Sequence, residues 1–257
     1  MTSVFLLFAF ALDPRTVKEF EAYIAVADRV MRARPHSTGR LPVKEGGAPL
    51  IEEWEGKANT QLTNGLVHDW AGAVVAAGAR LEHGLAVLND TGRFRQYYPE
   101  VQDFRVLGRD GAKSQVFLRL VKRKFITVVL DAYYDIEQAP AGPGKHQILS
   151  RSAKICEVSD AGTSSERVKP PGEGFGFLWR MNSYWLLEER DGGLYMELRS
   201  ISLTRDIPAG LAWMIKPMVA SLPRETLAST LEGAAKAVVW YSQQLKPGAL
   251  HGTQESK

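Results

Sequence analysis

The chain has 257 residues, 45% of them hydrophobic and 24% charged, with a formal net charge of +3 from 32 basic and 29 acidic side chains. These proportions belong to a soluble globular protein with a buried core and exclude a disordered chain and a membrane-embedded bundle. The two signs are mixed along the chain with no one-face basic cluster, so nucleic acid is not an expected partner.

Val4–Ala11 is an apolar run ending in Ala9-Phe10-Ala11, the small-x-small pattern that follows a secretory signal. It is far too short to span a bilayer, which takes about 20 residues. Two readings stay open: residues 1–11 are a signal peptide and the chain is exported to the periplasm or beyond, or the run is a buried N-terminal strand of a cytoplasmic protein. Asp13-Pro14 starts a helix, with Asp as the cap and Pro in the first turn, and Val17, Phe20, Ile24, Ala27 and Val30 follow at helical spacing. Residues 34–49 collect prolines and glycines and read as a linker, so 12–49 form a helix and linker ahead of a compact domain over 50–246.

Within that domain, Leu50–Thr63 and Leu66–Ala77 read as strands, and Leu81, Leu85 and Leu88 mark a short helix. A second short helix covers Phe94–Tyr98, stopped by Pro99. Strands are expected over Asp103–Leu107, Gln115–Lys122, Phe125–Glu137, Gln147–Val158, Gly176–Glu188 and Leu194–Thr204. The Asp110-Gly111 and Asp191-Gly192 turns supply the positive φ of tight hairpins and predict antiparallel neighbours. Ile207–Leu222 is an apolar stretch, and Pro223 opens a helix whose stripe runs through Leu227, Leu231, Ala234, Val238 and Leu245. Residues 247–257 are a polar, frayed tail.

That order of one strand, two short helices, six antiparallel strands and a long terminal helix over residues 65–245 resembles the helix-grip fold of the START, pollen-allergen and polyketide-cyclase/dehydrase superfamily. The passages Leu88-Asn89-Asp90 to Tyr98-Pro99-Glu100-Val101, Trp179–Thr204, Arg205-Asp206-Ile207-Pro208 and Leu222-Pro223-Arg224-Glu225 are similar to bacterial members of it. The resemblance implies an α+β fold in which a curved antiparallel sheet of about seven strands wraps a long C-terminal helix, with an extra N-terminal helix added. It also implies an apolar cavity between sheet and helix that holds a lipid or another hydrophobic small molecule.

Period-two alternation sets Phe177, Trp179, Met181 and Trp185 on the helix-facing side of their strand, and Trp213 and Leu231 complete the expected cavity wall. Each of these also fits plain core packing. Arg205, Asp206 and Arg224 are the polar candidates, either ion pairs that fix a lid or a grip on a carboxylate or phosphate head group. Ile207–Leu222 is either a lid that touches a membrane transiently during ligand exchange or a buried core helix.

No catalytic set is legible. His36, His68, His83, His146 and His251 show no metal-ligand spacing, and Cys156, the sole cysteine, has no evident His partner, so neither metal nor cofactor is expected. His68 and Asp69 are neighbours in a strand and point to opposite faces. The glycine-rich tract 172–176 precedes a strand and reads as a loop, since a phosphate cradle needs a following helix. The basic run Lys122-Arg123-Lys124 reads as a solvated edge. Three readings of function remain: a carrier of an apolar molecule; a cyclase, which would need Arg180, Tyr184, Glu197 or Arg199 facing inward; and an interaction module with a filled core.

Overall fold

The computed structural model describes residues 10–123, 127–206 and 212–244, with backbone alone at residue 10 and over 212–220. The chain is α+β. A short strand β1 (Phe10–Ala11) and helix α1 (Pro14–Ala33) lead through β2 (Leu50–Glu53) and β3 (Asn59–Leu62) to the long strand β4 (Gly65–Ala77). Helices α2 (Leu81–Asn89) and α3 (Phe94–Tyr97) follow. Then come β5 (Val101–Asp110), β6 (Lys113–Arg123), β7 (Thr127–Pro140), β8 (Lys145–Ser159), β9 (Arg167–Val168), β10 (Glu173–Gly174), β11 (Arg180–Arg190), β12 (Gly193–Arg205) and helix α4 (Ala212–Gln244).

The main sheet has ten strands, all paired antiparallel, in the order β2-β4-β12-β11-β8-β7-β6-β5, with β3 on β4 and β9 on β8. Seven long strands make the open, curved grip, and β2, β3 and β9 are short additions at its margins. The hairpins β5–β6 and β11–β12 turn on Gly111 and Gly192, both at positive φ, as the Asp-Gly pairs require.

The concave face meets α4. Leu227, Leu231, Ala234, Ala237 and Val238 pack there with Val74, Met196, Leu198 and Leu187. Gly72 permits a close approach of helix and strand: a Cβ there would stand 2.8 Å from Leu231 Cδ1 and 2.5 Å from Ile51 Cδ1.

The convex face is covered by α1. Asp13 caps that helix, its Oδ1 accepting from Arg15 N at 2.8 Å, and the apolar stripe Phe20, Ile24, Ala27 and Met31 buries against Val67, Leu149, Tyr184, Ile201 and Leu203. The 34–49 segment continues across the same face: Leu41 is buried with Ala71, Ala73 and Tyr195 and donates its N–H to the Tyr195 hydroxyl at 3.1 Å. The sheet therefore carries a helical layer on both sides.

Several sequence expectations are corrected. Helix α4 begins at Ala212, before Pro223: proline fixes φ near −65°, which a helix accepts, and the cost of a missing N–H is borne. The span 50–63 is two strands with a 3₁₀ turn at Trp54–Gly56 between them, and β11 starts at Arg180 after a bent stretch over 175–179. Of the N-terminal apolar run, Phe10–Ala11 pair with Glu173–Gly174 and the rest lies outside the described residues. Residues 207–211 and the tail 245–257 lie outside them too.

Candidate functional site

Between α4 and the grip strands lies a cavity of about 710 Å³. Its walls come from α2, α3, β5 to β8, β11, β12 and the described part of α4 and are mostly apolar, including Val87, Leu118, Leu130 and Ile136. Phe94 and Phe104 stack at 4.2 Å between centroids and form part of its side near α3.

Of the residues expected at this wall, Phe177, Met181 and Trp185 line the cavity. Trp179 does not: it is buried on the opposite face with Phe20 and Ile24 of α1, because the bends before β11 break the alternation that would have turned it inward. Leu231 is fully buried against β4 and belongs to the helix–sheet core, apart from the cavity wall. The side chain of Trp213 lies outside the described residues. Arg205 and Asp206 stand at the end of β12 and border the cavity; Arg224 is exposed on α4 and does not. Burial lowers the pKa of the Arg205 guanidinium against the opposing charge of Asp206.

The four residues that a cyclase would need inward are elsewhere. Arg199 forms a buried two-point ion pair with Asp69, at 2.9 and 2.6 Å, and stacks 4.0 Å from the Trp54 ring centroid. Glu197 takes two bonds from Arg34, at 2.6 and 2.8 Å, and one from the Tyr195 hydroxyl. Tyr184 donates to Asp28 of α1 at 2.7 Å, and Arg180 donates to its neighbour's carbonyl, Trp179 O. All four serve the α1 side of the sheet or its border, and none lines the cavity.

Sequence reasoning missed the support of the mouth. The glycine-rich loop does cradle an anion, but the anion is the protein's own Glu157: Phe175 N (2.8 Å), Gly176 N (2.8 Å) and Phe177 N (3.2 Å) donate to its carboxylate. Lys169 adds its ammonium at 3.5 Å. This nest fixes the turn that carries Phe175, Phe177 and Leu178 into the cavity rim. A carboxylate in the middle of an otherwise strand-like segment, facing a Gly-Glu-Gly-Phe-Gly tract, was the one available signal.

Lys122 is not a solvated edge residue. It pairs with Glu100 and bonds Thr226 Oγ1 of α4 at 3.2 Å, and all three border the cavity. On β4, His68 is buried, with Nδ1 2.7 Å from Asn59 Oδ1 and Nε2 3.0 Å from Thr204 Oγ1. Burial pulls its pKa down to about 4, so the ring is neutral at pH 7. Asp69, its neighbour, engages the other face.

No protein-family model matches the sequence, and no curated protein sequence matches it either. Among solved structures the chain is similar to a STAR-related lipid transfer protein from Xanthomonas axonopodis, with 17% identity and a TM-score of 0.48 over 73% of this chain and 100% of that one. It is also similar to the Zhui aromatase/cyclase from Streptomyces sp. R1128, with 13% identity and a TM-score of 0.43 over 72% and 98%. Human STARD10 matches with 9% identity and a TM-score of 0.46 over 93% and 88%.

Proposed function

We propose that the protein reversibly binds a lipid or another hydrophobic small molecule between α4 and the sheet. The observation that carries this reading is the cavity itself: about 710 Å³ with a mostly apolar wall, within the roughly 300–1,000 Å³ typical of small-molecule sites. Burial of an apolar ligand there supplies the driving force, roughly 25 cal/mol per Å² removed from water. The carrier reading needs no proton-moving set at the wall, and Glu197 and Arg199, which a cyclase would use, are held in ion pairs on the α1 side of the sheet.

Native mass spectrometry tests it. Protein purified from its own host, or incubated with a lipid extract, should carry an added apolar mass. Leu118→Trp, which places an indole in the cavity from β6, should cut uptake about tenfold or more while the protein stays folded. Absence of any added mass under both conditions would end the carrier reading.

A further inference from the structure

The cavity is apolar, yet a set of hydroxyls crosses its floor. Ser150 on β8, Ser183 on β11 and Ser200 on β12 are register partners on three adjacent strands. They form one row across the sheet, and all three line the cavity. Neighbouring strands lie about 4.8 Å apart, so the outer two stand about 10 Å from each other. One step along the strands, Tyr134 on β7 and Ser202 on β12 face the same space.

None of these five hydroxyls has a hydrogen-bond partner among the described residues; Tyr134 and Ser202 are buried residues, at 8% and 7% exposure, and Ser150, Ser183 and Ser200 are half-buried, open to the cavity. Neighbours with the same chemistry are satisfied: Ser152 accepts from Met181 N at 2.9 Å, and Thr204 serves His68. Hydroxyls shut away from water are paired as a rule, so an apolar ligand that fills this space and offers these five no oxygen would leave them unpaired at a cost. Five unpaired groups on one side of one cavity therefore point to a partner from outside the chain.

The partner must match their chemistry. Hydroxyls donate and accept with neutral groups, and no charged side chain lies among them. The cations that border the cavity stand at its ends: Arg109 in the β5–β6 hairpin, Lys122 paired with Glu100, and Arg205 at the end of β12. We infer that the ligand is an uncharged, polyoxygenated hydrophobe, an alcohol or ketone with two or more oxygens along one edge of an apolar skeleton. This inference rests on the carrier reading above and narrows it.

The full chain, stripped of co-purified apolar molecules, is titrated with the neutral dye N-phenyl-1-naphthylamine. The dye is then displaced by 5α-androstane, its 3β-ol and its 3β,17β-diol, one skeleton with zero, one and two hydroxyls. The expected affinity order is diol, then mono-ol, then hydrocarbon, with about tenfold between the extremes. The S150A/S183A/S200A triple variant should bring the diol down to the hydrocarbon's value; each affinity is read against the hydrocarbon's in the same variant, so any general change in the cavity cancels from the comparison. Tyr134→Phe, which keeps the ring, should weaken the diol severalfold. Equal binding of diol and hydrocarbon by the wild type, or a preference that survives in the triple variant, overturns this inference while the carrier reading stands. No uptake of the dye or of any of the three compounds overturns both.

Discussion

The two faces of the sheet treat buried polarity in opposite ways. Between α1 and the convex face, carboxylates meet donors: on the sheet Glu197 meets Arg34 and Tyr195 and Asp69 meets Arg199 and Tyr23, and on α1 Asp28 meets Tyr184 and Arg151. The concave face beneath α4 holds few charges, open space and hydroxyls without partners among the described residues. A buried polar group that finds its partner inside the chain is part of the structure, whereas one that faces open space lacks its second half. The extra N-terminal helix thus closes a charged surface that would otherwise be a wet sheet back, and α4 leaves an apolar one open.

The sharpest way to break this contrast is to remove one charge from under α1. Arg199→Met takes away the two-point partner of Asp69, whose side chain is 2% exposed. It strands a carboxylate in a dry site, which costs about 3–5 kcal/mol. Denaturant titration should show that loss, while dye uptake at a temperature where the variant is folded stays as in the wild type. Lost uptake with unchanged stability would mean that the two faces are not separable.

His68 sharpens the comparison because it lies on the concave face yet behaves like the convex one, with both ring nitrogens engaged. Its folded pKa is lowered to about 4 by burial, from the 6.5 of a free histidine. Between those values the unfolded chain binds a proton that the folded chain refuses, so stability is full above about pH 6.5 and falls as the pH drops towards 4. The loss assigned to this one group is about 3 kcal/mol, from the 1.36 kcal/mol of each pKa unit. Equilibrium unfolding of wild type and His68→Gln at pH 7 and pH 4 measures it. The wild type should lose more than the variant by about that amount, and equal losses would show a ring that charges freely.

The order of elements from β4 to α4 was legible because hydrophobic alternation and two Asp-Gly turns mark antiparallel hairpins unambiguously. The faces were less so. Met181 and Trp185 follow period two within β11, but Trp179 precedes the strand, where bends cancel the parity. The role of α1 was unreadable for a related reason. Arg34, Tyr23 and Asp28 reach partners 46 to 163 residues away in sequence, and no local pattern encodes such distances. One clue existed: Glu197 and Arg199 alternate on a strand otherwise built for burial, which demands a covering layer, and α1 was the amphipathic element without a place. The serine row escaped for the opposite reason, since Ser150, Ser183 and Ser200 are adjacent only once the register is known.

The Glu157 nest joins the two behaviours, a paired carboxylate that shapes the open side. Gly174 sits there at φ +124°, and a Cβ would stand 2.3 Å from Glu157 Oε2. Gly174→Ala should cost about 1–3 kcal/mol in backbone strain and loosen the turn carrying Phe175, Phe177 and Leu178. Dye affinity should fall along with the melting temperature. A stable variant with weakened uptake would identify the loop as a determinant of the rim alone.

The smallest effect is expected at the edge of the convex face, where Arg32 of α1 reaches Glu137 at 3.0 Å with both side chains well exposed, 48% and 38%. Water screens that pair, and holding two long side chains in one geometry offsets much of the attraction, so Arg32→Ala should change stability by less than about 1 kcal/mol. The guanidinium two residues on, Arg34, engages a carboxylate with no exposure at all, so the same truncation there should cost several times more. A double-mutant cycle for each pair, read by denaturant unfolding, compares them directly. Equal coupling energies would mean that burial does not set the strength of the α1 attachment, because both pairs join an arginine to a glutamate, Arg32 in the last turn of α1 and Arg34 just past its end.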